Sequence, residues 1–167
     1  MSIASDVEDV VVVGLGEVTV AREKNRTLAC LGLGSCVGIA MYDPVARIGG
    51  MAHIVLSDSH GKVGDGSAKY ADVAVPLLIE KMRDMGALTS RLMVKIAGGA
   101  QMSPARGLGD VFKIGEDNVE AVTSILARHG ISITASNTGG NRGRTFRLCL
   151  TTGTATVRSA GQEELEI

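Results

Sequence analysis

The chain of 167 residues has no tryptophan and only two phenylalanines and two tyrosines. Its core must therefore be filled by Val, Ile, Leu, Met and Ala, without large aromatic anchors. Neither charge dominates: 17 Lys and Arg stand against 18 Asp and Glu. A balance this even leaves no basic footprint, so nucleic acid is not an expected partner. No run approaches the ~18 apolar residues of a membrane-spanning helix, and acidic residues near the N-terminus do not make a secretory leader. The expectation is a cytoplasmic protein with no membrane insertion. Cysteine is scarce and odd in number, at three, which argues against a disulfide framework and suits a reducing compartment. The cysteines form no Cys-x-x-Cys pair, and His60 and His129 stand at no metal-ligand spacing, so neither a metal nor another cofactor is expected.

What is present reads as one domain over residues 9–160, with flexible ends at 1–8 and 161–167. Val10 to Val13 is a β-branched run closed by Gly14-Leu-Gly16, and Glu17 to Ala21 alternates; both predict strands. Thr27 to Leu31 predicts another, leading into a turn at Gly32 and Gly34. Val37 to Tyr42 is apolar on both faces and fits a buried strand or a short buried helix. Ile48 to Leu56 predicts a buried strand, and Ser57 to Ala68 a loop. An apolar stripe from Val75 to Met85 predicts a helix, kinked or late in starting because of Pro76 and stopped at Gly86. Arg91 to Ala97 predicts a strand, and Ala100 to Val111 a loop. A second helix carries Val119, Val122, Ile125 and Leu126 on one face, holds Asn118 in its first turn and stops at Gly130. Ile131 to Ala135, Thr145 to Leu150 and Thr154 to Val157 complete the strands. Mainly strands with two helices make an α+β fold with a mixed or antiparallel sheet.

The chemistry concentrates in Leu31-Gly-Leu-Gly-Ser-Cys36, where a cysteine leaves a glycine-rich turn, and in Gly49-Gly-Met-Ala-His53, where a histidine sits in an apolar run. An imidazole near a thiol accepts its proton and releases a thiolate nucleophile; the histidine then protonates the leaving group. Amides around Gly34 and Ser35 are candidates to hold a developing oxyanion, a contribution of about 3 kcal/mol per donor. A buried cysteine is also a common small core residue, and a histidine in an apolar strand a common structural one. Composition and spacing leave both readings open. Cys149, between Leu148 and Leu150, reads as core.

The sequence LGLGSCVGIAMYDP followed by GGMAHIVLSDS resembles the signature of the CheD family, the chemoreceptor glutamine deamidases of bacterial chemotaxis. The likeness continues through YADVAVPLLIE at 70–80, KIAGGA at 95–100, IGEDNVEAV at 114–122 and GGNRGR at 139–144. The resemblance implies packed β-sheets in a β-sandwich-like core flanked by helices, a fold shared with glutamine-deamidating toxins. It implies Cys36 as nucleophile, His53 as base and acid, and receptor glutamines (with glutamyl methyl esters a second possibility) as substrate. It implies a CheC-type phosphatase as partner, and hence an alternative: a weakly active binding module that regulates such a phosphatase. A third reading is an amidase for a free small amide. The family pattern places a threonine that orients the histidine where this chain has Cys30, and an aspartate where it has Asn137. A thiol is a weak hydrogen-bond partner, so the expectation is that a backbone carbonyl or Cys30 itself orients His53, with less activity than a threonine would give. A disulfide between Cys30 and Cys36 is not expected in a reducing cytoplasm.

Overall fold

The computed structural model describes residues 7–62, 64, 67–102 and 113–167. The expectations for residues 1–6 and for most of the loop from Ala100 to Val111 lie outside the described residues. Among the described residues ten strands and two α-helices run in the order β1 (Asp9–Val12), β2 (Val18–Ala21), β3 (Arg26–Leu33), β4 (Val37–Asp43), β5 (Ile48–Ile54), α1 (Ala71–Asp84), β6 (Met93–Gly98), α2 (Ile114–Arg128), β7 (Ala135–Thr138), β8 (Arg144–Cys149), β9 (Ala155–Ser159) and β10 (Leu165–Glu166). They form two five-stranded sheets, ordered β1-β3-β8-β9-β10 and β2-β5-β4-β6-β7. β1–β3 and β6–β7 pair in parallel and the rest antiparallel, so the fold is α+β with mixed sheets.

The second sheet is the middle layer. One face meets the first sheet through Leu28, Leu33, Met51, Phe146 and Leu148. The other carries both helices over Ile39, Ile54, Leu78, Met82 and Leu126. This explains why β4 and β5 are buried at every position and read as unbroken apolar runs. β8 has water on one side instead, and its buried and part-buried residues alternate. The scarcity of aromatics is met by close approach. A Cβ on Gly38 would lie 2.9 Å from a Phe146 ring carbon, so glycine lets the sheets close on one of the few large side chains.

Both helices end in the hydrogen-bond pattern their glycines predict. Gly86 N donates to Arg83 O and Ala87 N to Met82 O; Gly130 N donates to Ala127 O and Ile131 N to Leu126 O. Pro76 does not delay α1, which begins at Ala71 and continues past the proline to Asp84. The strand expected at Ile131 to Ala135 instead starts at Ala135, because the Ile131 amide is taken by the helix cap. The C-terminal residues, expected to be flexible, add β10 to β9, and Ile167 N bonds Ala155 O at 3.0 Å. That strand covers an edge whose backbone groups would otherwise lack partners.

Asp43 ties the far end of β4 down. Its carboxylate accepts from the amides of Val45, Ala46 and Leu88 and from the Arg91 guanidinium at 2.8–3.0 Å. Burial alone would raise its pKa, but the Arg91 and amide hydrogen bonds outweigh it and hold the value at about 2. This lies below the ~3.9 of an unfolded chain, so the stabilisation is complete above pH ~4 and is lost as pH falls through ~2. Asp43→Asn is expected to cost about 1–3 kcal/mol at neutral pH. In denaturant titrations, its stability gap to the native chain should close between pH ~4 and ~2; a gap that does not change over that range would rule the ionised carboxylate out.

Candidate active site

Among the described residues three crossings between the sheets lie at one end, β1–β2, β3–β4 and β7–β8, and the first two carry the site. β1 leaves the first sheet at Val13 and re-enters the second through Gly14-Leu-Gly16, and β3 crosses through Gly34-Ser35-Cys36 into β4. His53 lies on β5 opposite Gly38 of β4. Its neighbours Ala52 and Ile54 face the helices while Met51 faces the first sheet, so strand alternation turns His53 toward the space between the sheets. Cys36 packs against that same inter-sheet cluster. Counted on the β4–β5 register, Cys36 and His53 are diagonal neighbours, positions about 7–8 Å apart in an antiparallel pair. No hydrogen bond joins them among the described residues.

The imidazole is held by backbone. His53 Nδ1 lies 3.0 Å from Val13 O. A carbonyl only accepts, so Nδ1 carries the proton and Nε2 is left as the basic nitrogen. The residue's own backbone is fixed as well, its amide donating to Glu17 O and its carbonyl accepting from Gly16 N. The side chain is 4% exposed. The orienting carbonyl thus comes from the first crossing, and the Gly14–Gly16 turn allows that approach.

The thiol sits at the second crossing. Cys36 O accepts from Gly99 N and Gly34 O from Ala100 N, both at 2.8 Å. Gly98 makes this approach possible: its φ is +108°, and a Cβ there would lie 2.1 Å from Cys36 O. Burial pushes the Cys36 thiol up, and its own backbone N–H pulls it only partly back. The thiol is therefore protonated at neutral pH and needs a base to become nucleophilic. Among the described residues no acceptor takes the Ser35 amide, which leaves it available to a ligand oxygen.

Cys30 is fully buried on β3 with Sγ 3.9 Å from Ala52 O, a weak contact. Burial, with the nearby Cys36 adding to it, drives its pKa far up. Thr27, on the other face of β3, donates to Glu8. Cys149 differs from both. Burial would raise its pKa, but hydrogen bonds from Thr152 and Thr151 outweigh this and lower it.

Two groups at this site were not assigned from sequence. The first is the Val13 carbonyl. The second is Asn118, fully buried on α2, whose Nδ2 donates to Ser35 O at 3.0 Å and to Val55 O at 2.9 Å. A signal did exist: Asn118 falls one turn before Val122 on the apolar stripe, where a polar residue needs a reason. Asn137, at the family's aspartate position, accepts with its side chain from Arg144, whose guanidinium also donates to Gly139 O.

Together these features define an α+β domain with a backbone-oriented imidazole and a thiol at the edge of two packed sheets. The family model for CheD chemotactic sensory transduction matches residues 55–159, and the chain belongs to that family. It is 47% identical to a chemoreceptor glutamine deamidase CheD of Thermotoga maritima, over 93% of this chain and 96% of the relative. It is 46% identical to a probable CheD of Symbiobacterium thermophilum, over 93% and 95%, and 45% identical to one of Desulforamulus reducens, over 89% and 90%. The model match starts after His53, but alignments over 93% of the chain take in both Cys36 and His53. No helix of the described residues is long and apolar enough to cross a membrane.

The three thiols should differ in reactivity. Limited iodoacetamide at pH 8, read by peptide mass spectrometry, is expected to label Cys149 first, Cys36 next and Cys30 last. Labelling of Cys30 before Cys36 would contradict the burial described here.

Proposed function

We propose that the protein is a cytoplasmic cysteine amidohydrolase, a protein-glutamine glutaminase. It converts glutamine side chains of methyl-accepting chemotaxis receptors to glutamate and ammonia. The observation that carries the chemistry is the Nδ1–Val13 contact, which presents Nε2 as the base on the face that bears Cys36. The substrate class follows from the relatives, which are named chemoreceptor glutamine deamidases.

In this reading Nε2 of His53 takes the Cys36 proton, and the thiolate attacks the glutamine amide carbon. The oxygen that gains charge is held by the amides of Ser35 and Cys36, with Gly34 giving backbone clearance. The imidazolium then passes its proton to the departing nitrogen, and ammonia leaves a glutamyl thioester. His53 next deprotonates a water, which attacks the thioester; glutamate leaves and the thiol is restored. A glutamyl methyl ester follows the same course and releases methanol. Cys30 takes no part in proton transfer, because the Val13 carbonyl supplies the orientation that a threonine gives elsewhere in the family.

One observation favours the second reading, a binding module for a CheC-type phosphatase: no hydrogen bond joins the Cys36 thiol to His53, and burial pushes that thiol up. Intact-mass spectrometry of a receptor incubated with the native chain separates the two, since each conversion exchanges NH₂ for OH. A mass gain is expected with the native chain and none with Cys36→Ala. His53→Gln should slow the reaction by about 10²–10⁴-fold, and Cys30→Ala should stay within about threefold of native. No gain with the native chain, on a receptor of the same cell, would favour the binding module.

A further inference from the structure

The side chain of Asn118 closes the gap where β4 and β5 stop pairing. Their ladder ends at Val37 and Ile54. Beyond that point the Ser35 and Val55 carbonyls have no rung between the strands, and the two N–H groups of Asn118 reach one each. The residue is 0% exposed, and among the described residues no donor reaches its own Oδ1. An unpartnered buried acceptor destabilises the fold. A position that served packing alone would carry an apolar side chain, so the two donated bonds give the residue its purpose.

Ser35 O belongs to the peptide that joins Ser35 to Cys36. A trans peptide is planar, and its C=O and N–H point in opposite directions. Drawing Ser35 O toward α2 therefore turns the Cys36 N–H away from the helix, to the side on which Cys36 packs against the inter-sheet cluster. The flanking carbonyls of Gly34 and Cys36 are held by Ala100 and Gly99, which leaves the central peptide to Asn118. We infer that Asn118 is a positioning residue that aims the Cys36 amide at the oxygen developing charge during acyl transfer. This rests on the deamidase reading above.

The test compares kcat and KM for ammonia release from receptor, the rate of Cys36 alkylation by iodoacetamide, and thermal unfolding, for the native chain and Asn118→Ala. Loss of one aimed donor should lower kcat by about 10–100-fold with KM within about threefold. Alkylation at the sulfur builds no oxyanion and should change less than about threefold. A kcat within about threefold of native overturns the role, as does a fall in alkylation that matches the fall in kcat, which would mark a loosened fold. If the alanine chain does not fold, Asn118→Asp, of the same shape but unable to donate to both carbonyls, is read against the same outcomes. A native chain that releases no ammonia from receptor fails the deamidase reading itself, whereas a native chain active beside an equally active variant fails only the role of Asn118.

Discussion

The hydrogen bond from His53 Nδ1 to the Val13 carbonyl joins the two sheets at the end where the imidazole and the Cys36 thiol lie. Val13 closes the run of β1 in the first sheet and His53 lies on β5 in the second. The bond forms only if both crossings sit at the same end of the sandwich and the sheets pack at the right distance. That distance is set by small residues, Gly38 against Phe146 among them, in a chain with few large side chains to hold the layers apart. Packing and the placement of the imidazole are thus one constraint here. A bulkier residue at the sheet interface would shift the imidazole as well as strain the core.

The elements that announce themselves by local chemistry were readable from sequence. Gly86 and Gly130 stop their helices by supplying the left-handed residue such ends require. β8 alternates because one of its faces is wet. β4 was ambiguous because a strand buried on both faces has no period to detect; its pairing with β5 and β6 decides it. The strand read at Ile131 failed for a subtler reason. β propensity was present, but the helix cap had already claimed the amide, and local competition for a donor outranked side-chain preference.

The site was legible as residue types and not as contacts. Cys36 and His53 stand out as a thiol after glycines and an imidazole among aliphatics. What orients the imidazole is a backbone carbonyl, which no side-chain pattern encodes; at most, the glycines after Val13 show that the chain can turn there. Cys30 drew attention because it occupies a position where the family has a hydroxyl. Its fully buried thiol makes one weak contact; of the two expectations for what holds His53, a backbone carbonyl or Cys30 itself, the contact made is to the Val13 carbonyl. Asn118 is hidden by being helical: only its place on an apolar stripe sets it apart from an ordinary residue of a first turn.

The first sheet draws its strands from both ends of the chain, with Leu28 of β3 registered against Leu148 of β8. Pairings this distant in sequence close slowly, because the loop entropy is lost before any contact repays it. During synthesis β3 has β1 beside it early but meets its second partner only after β8 has left the ribosome, whereas the strands that hold the thiol and imidazole emerge early. The inter-sheet space that would shelter an imidazole and a thiol is therefore completed late in folding, and an incomplete chain exposes cysteines without presenting a finished catalyst.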